Sequence, residues 1–148
     1  MRDAHFTRQE RDAILWMRVL FVAFFAVGAI FAFHPNYFLN YLDGFGAVFF
    51  NFASEPLNPP QFEIWWVLSI ALMITLSYLA FRAQHNWIHY HPLVIAIIIA
   101  KAISALGFAA LAIFHPTHFF YIVASGVDIV IWLVTWVTYA QAVKSRTY

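Results

Sequence analysis

The sequence contains no cysteine. This absence excludes disulfide bonds, thiolate metal sites, iron–sulfur ligation and a catalytic thiol. Charged residues are also scarce, at 10% of the chain against roughly 25% in soluble domains. The net charge is only +1 and there is no basic tract, so we expect no nucleic-acid partner. Sequence motifs for nucleotide binding, serine hydrolysis and zinc-dependent proteolysis are missing too, and we predict that the chain is not an enzyme.

Most of the residues that are present are apolar, with 64% hydrophobic and 20% aromatic. Four apolar segments each run for about 20 residues, the length that a helix needs to cross the hydrocarbon core of a bilayer. They cover roughly residues 14–33, 62–81, 93–114 and 119–139. We therefore predict an all-α fold, an integral membrane four-helix bundle in which residues 1–148 form a single transmembrane domain.

The few charges are distributed unevenly between the two ends of these segments. Every basic residue except Lys101 falls at ends that share one side of the membrane, and the opposite side carries acidic residues only. By the positive-inside rule, this asymmetry predicts a multi-pass protein of the cytoplasmic (inner) membrane with both termini in the cytoplasm. The first apolar segment is too long for a signal peptide and no A-x-A site follows it, so we expect an uncleaved span.

One long connection joins the first two apolar segments. Within it, residues 37–53 are apolar except for Asn40, Asp43 and Asn51, which form a narrow polar stripe at helical spacing. We predict an amphipathic helix that lies on the outer surface with this stripe in water. A fifth span is rejected because it would reverse the charge asymmetry. The apolar flank of the helix supplies the predicted contacts with lipid or a partner: Phe45, Phe49, Phe50 and Phe52.

Lys101 and Asp128 are charged residues inside predicted spans. At 1.5 Å per residue each lies ~12–14 Å into its helix, close to the middle of the membrane. Charged residues at this depth usually face the bundle interior and one another. Three interpretations stay open: a structural ion pair between helices, a pair that handles protons or ions, and a lysine that snorkels towards the cytoplasm.

Polar and small residues continue along the same two segments. In the last segment they recur at steps of three and four, which places them on one helical face. In the third segment Ala96, Ala100 and Ser104 recur at steps of four and predict a face for close helix packing. The residues of the predicted polar seam are Ser104, Ser125, Asp128, Trp132, Thr135 and Tyr139.

The histidines form two sets that could hold a metal ion or haem. His85, His89 and His91 follow an H-x3-H-x-H spacing, which would place the first two on one face if the loop were helical. His34 and His115 each end a predicted span on the other side, and a b-type haem between them is conceivable. The loop of the first set contains no carboxylate or thiolate to complete a metal site, and the second set lies at the rim of the bundle, so we predict no bound cofactor.

Three functional hypotheses follow. The first is a non-catalytic subunit or accessory protein of a larger membrane complex, which packs through aromatic and small-residue faces. Its expected partners are membrane lipids and other integral membrane subunits. The second is a small transporter or proton-coupled carrier that uses Lys101 and Asp128. The third is a redox protein whose histidines or aromatic interior contact haem, quinone or a pigment.

Overall fold

The structure is a computed structural model that describes residues 6–53 and 63–145, and every regular element within these ranges is a helix. Four helices are long and apolar enough to cross a membrane, which confirms the prediction of a helical membrane protein with four candidate spans. In chain order the helices are α1 (Arg8–Phe33), α2 (Pro35–Phe50), α3 (Glu63–His85), α4 (Trp87–Tyr90), α5 (Leu93–Phe114) and α6 (Phe119–Lys144).

The helices extend beyond the apolar segments at their polar ends. α1 begins at Arg8 rather than at residue 14, because Thr7 and Glu10 form a capping box. The Thr7 hydroxyl accepts the Glu10 N–H at 3.2 Å, and the Glu10 carboxylate accepts the Thr7 N–H at 2.9 Å. α3 continues past residue 81 to His85, and α6 past residue 139 to Lys144. Residue 62, the predicted start of the second span, lies outside the described residues.

The four long helices form a ring in which each runs antiparallel to its two neighbours. α1 packs mainly on α3 and α5 mainly on α6, while contacts of α1 with α6 and of α3 with α5 close the ring. The Trp16 indole donates to the Thr135 hydroxyl at 2.8 Å between α1 and α6, and the Ser77 hydroxyl donates to the Phe21 carbonyl at 3.1 Å between α3 and α1. Hydrogen bonds of this kind between neighbouring helices help to hold a bundle together in an apolar environment.

The hydrophobic core lies in the half of the ring nearer the chain termini. α1 contributes buried residues from Ala13 to Phe24, and α3 contributes residues from Leu76 to Ala83. Trp87 of α4 is buried among them and closes this end of the bundle. We call this the terminal end, and the opposite end, where α2 lies, the α2 end.

α2 covers the first turn of α6. The helix ends at Asn51, whose φ of 51° and ψ of 33° are left-handed values that Asn tolerates, so residues 51–53 are not helical and the prediction of a helix over 37–53 is corrected to Pro35–Phe50. Gly46 lies directly against Phe119, and a Cβ atom at Gly46 would collide with the Phe119 ring. The close approach of the two helices therefore requires glycine at this position.

We expect Gly46→Ala to weaken the docking of α2. The added methyl group must displace the base of the Phe119 side chain, at a cost of about 1–3 kcal/mol. Gly44→Ala is the matched control, because nothing lies within 4 Å of its added Cβ. Thermal unfolding of both variants in one detergent tests the prediction. Equal melting temperatures for the two variants would contradict it.

Candidate functional site on the inner face of the last helix

Lys101 of α5 and Asp128 of α6 meet inside the bundle. The lysine Nζ donates to Asp128 Oδ1 at 2.7 Å, and the two side chains are only 5% and 8% exposed. The same Nζ lies 5.0 Å from the centre of the Phe24 ring on α1. The ammonium group is therefore held between a carboxylate and an aromatic face, which are both favourable partners for a cation.

The pair forms directly, without a bridging residue. Ser104 of the predicted polar seam is half-buried, and no hydrogen bond between it and the pair is present in the described part of the chain. Instead the Ser125 hydroxyl donates to the Ala105 carbonyl at 3.1 Å, one turn closer to the α2 end. α5 and α6 are thus joined by two neighbouring polar contacts.

The predicted polar face of α6 points into the bundle. Ser125, Asp128 and Thr135 are buried, and Trp132 and Tyr139 are half-buried. The Thr135 hydroxyl also donates to a carbonyl of its own helix at 2.6 Å, while it accepts from the α1 indole. The Tyr139 ring lies next to the ring of Trp87 in α4 and the ring of His91 in the turn that follows. The inward face of α6 therefore carries hydroxyl, carboxylate and indole groups along most of its length.

The buried face of α5 differs from the predicted small-residue face. Its buried residues are Val94, Ile97, Lys101 and Ala105. Ala96 is exposed, and Ala100 is half-buried. The ion pair explains this orientation, because bringing Lys101 to Asp128 turns Ala96 outward.

A second buried polar cluster joins α2 to α6. Asp43 Oδ2 accepts a hydrogen bond from Nδ1 of His118 at 2.8 Å, and Asp43 Oδ1 accepts the Phe120 N–H at 3.0 Å. Asp43 is only 5% exposed, so the prediction that it faces water is wrong, whereas Asn40 and Asn51 are exposed.

The carboxylate of Asp43 acts as a cap for α6. His118, the residue before this helix, makes no side-chain capping bond to it, and Phe120 is in its first turn. A carboxylate at this position bonds an otherwise unpaired N–H group and meets the positive end of the helix dipole. Sequence reasoning missed the contact because its partners are 75 residues apart. The only sequence signals for this contact were an aspartate in an otherwise apolar segment and a helix start without a capping side chain of its own.

The loop histidines do not share one helical face. His85 ends α3 and His89 belongs to α4, and Asn86 between them has non-helical angles of φ −143° and ψ 78°. Both histidines are exposed, while His91 is half-buried with Nδ1 3.2 Å from the Trp87 carbonyl. Within the described ranges, no group of three or more His, Asp or Glu side chains is placed to hold a metal ion.

The two histidines considered as haem ligands lie at the α2 end. His34 follows α1 and His115 follows α5, and each backbone N–H donates to a carbonyl of its own helix at 2.8 Å. Both residues are exposed. The structure therefore places them at the rim of the bundle rather than among the facing helices, where haem ligands of a bundle project inward.

Two of the four phenylalanines predicted on the apolar flank of α2 contact α6, and the other two contact each other. Phe50 stacks on Phe119 with ring centroids 5.2 Å apart, and Phe52 contacts the same ring at 5.7 Å. Phe45 and Phe49 pack on each other at 4.5 Å, and Phe49 is 67% exposed. The first two rings contact α6 through Phe119, although Phe50 is itself 63% exposed, and the last two form an exposed pair away from this contact.

No family model, curated protein or solved structure matches this chain. Its function must therefore be inferred from its own residues.

We expect the Lys101–Asp128 pair to show strong coupling in a double-mutant cycle. Lys101→Met or Asp128→Asn alone leaves one buried group unpaired, which typically costs about 3–5 kcal/mol when the partner is charged. The double variant should recover much of this loss, since neither charge remains. Thermal unfolding in detergent measures all three variants. Additive losses in the double variant would contradict a structural pair.

Proposed function

We propose that this protein is a non-catalytic integral membrane subunit or accessory protein of a larger membrane complex. The observation that most supports this proposal is that the interior polar groups bond to other groups within the bundle. Lys101 bonds Asp128, and the interhelical hydroxyl and indole groups described above bond one another or backbone carbonyls. These contacts stabilise the bundle and leave the outward faces as the surfaces for recognition.

Among these faces, the outer side of α2 is the best suited to bind a protein partner. Asp43 and Gly46 fix this helix on α6, so its aromatic side chains are held in place before binding. Rigid aromatic residues dominate the affinity of many interfaces, and prior ordering reduces the entropic cost of association. The exposed residues on this side are Tyr37, Tyr41, Phe45, Val48 and Phe49.

The partner in this proposal is another integral membrane protein with an apolar face. The chain lies in the cytoplasmic membrane with both termini inside, as its charge asymmetry favours, and α2 lies on the outer side. Its neighbours at that level are lipid headgroups and the ends of other transmembrane helices. The proposal includes no cofactor.

A photoreactive amino acid at Phe49 tests the partner surface. In native membranes we expect ultraviolet light to link this position to one or more specific proteins, because Phe49 points away from its own bundle. Ile103 of α5, which is 66% exposed, is the matched control on another face of the bundle. Mass spectrometry of the purified adducts identifies the products. Equal yields of the same adducts from both positions, or lipid adducts only from Phe49, would contradict the proposal.

A second candidate, a small proton-coupled carrier, is favoured by the polar face of α6. Ser125, Asp128, Thr135 and Tyr139 bring ionisable or hydroxyl groups to the inner face of one helix, with Lys101 beside Asp128. Intramembrane carboxylates of this kind serve proton relays in transporters.

Proton flux into vesicles distinguishes the two candidates. A carrier should acidify the lumen of vesicles under an imposed potential, and Asp128→Asn should abolish this flux while the protein remains folded. The subunit proposal predicts no flux above that of protein-free vesicles. The Thr138→Val variant is a control on the same helix, because the Thr138 hydroxyl bonds only carbonyls of its own helix in the described structure.

A further inference from the structure

One exposed face of α1 carries two arginines, with Leu15 between them, followed by two apolar residues. Arg11, Leu15, Arg18, Val22 and Phe25 follow at steps of four and three, so they lie along one side of the helix. All five are exposed. Polar and apolar groups are thus arranged along this face in the order in which a lipid presents its headgroup and its acyl chains.

Arg18 lies inside the candidate span rather than beyond its end. Because Ser77 bonds the Phe21 carbonyl, Arg18 lies level with the last turns of α3, before that helix ends at His85. A guanidinium at this depth is costly in hydrocarbon unless it reaches the interface or meets an anion. In the described part of the chain, the salt bridges Lys101–Asp128 and Asp43–His118 do not include Arg18.

A row of four aromatic rings, which we call the ring file, lies on the adjoining surface of α1 and α3. Phe21 contacts Phe25 with centroids 6.5 Å apart and Phe81 at 5.4 Å, and Phe81 stacks on His85 at 5.5 Å. The file runs from deep in the span to the exposed imidazole at the end of α3. It offers an apolar surface for an acyl chain and a polar group at headgroup level.

We propose that this face binds an anionic phospholipid. The phosphate contacts Arg18, with Arg11 about 10 Å further along the helix at the outer edge of the headgroup. An acyl chain lies along Val22 and the ring file. Arg forms paired hydrogen bonds to phosphate, which a single ammonium group does not provide. The site requires neither a particular orientation in the membrane nor a protein partner.

Native mass spectrometry of the whole chain in a neutral detergent tests this site. Phosphatidylglycerol is titrated against wild type, Arg18→Gln and Arg18→Lys, and phosphatidylcholine is the uncharged comparison. Arg8→Gln is the matched control, since it removes one exposed basic charge from the start of the same helix. Elution volume and helix content show that each variant is folded.

The wild type should bind phosphatidylglycerol more tightly than phosphatidylcholine. Arg18→Gln should lower this affinity by about tenfold, because a charge-assisted phosphate contact is lost. Arg18→Lys should fall between wild type and Arg18→Gln, and Arg8→Gln should change the affinity by about twofold at most, because a neutral micelle has no surface potential. Unchanged affinity in Arg18→Gln would overturn the proposal. Displacement of the lipid by inorganic phosphate would also overturn it, because the site would then recognise a free anion.

Discussion

The requirement that every buried polar group finds a partner organises this protein. In an apolar environment, water is not available to solvate an unpaired charge or hydrogen-bonding group, and each costs several kcal/mol. Lys101 and Asp128 meet that requirement for each other and thereby fix which faces of α5 and α6 turn inward. The orientation of those two helices then determines which residues point to lipid.

Much of the fold could be predicted because hydropathy and length are local properties. The third span was predicted at residues 93–114, as the structure has it, and the inward face of α6 followed from the spacing of Ser125, Asp128 and Thr135. The ends of α1 and α6 could not be predicted from hydropathy. Helical hydrogen bonds continue into polar residues until a cap ends them, as Thr7 does at the start of α1.

The placement of α2 could not be predicted, because it depends on contacts between distant parts of the chain. A polar stripe in the sequence indicates which side chains need polar neighbours, and it does not distinguish water from a protein group. Asp43 finds its neighbours in His118 and the backbone of Phe120, whereas Asn40 remains exposed.

The cap that Asp43 provides has a consequence for biosynthesis. Asp43 leaves the ribosome 75 residues before His118, its partner. At typical translation rates this interval lasts about 4–15 s, and throughout it the carboxylate lacks the imidazole and the helix end that it bonds in the folded protein. The contacts that fix α2 therefore form only after the start of α6 has been made, and until then its aromatic side chains are available to lipids, insertion factors and neighbouring chains.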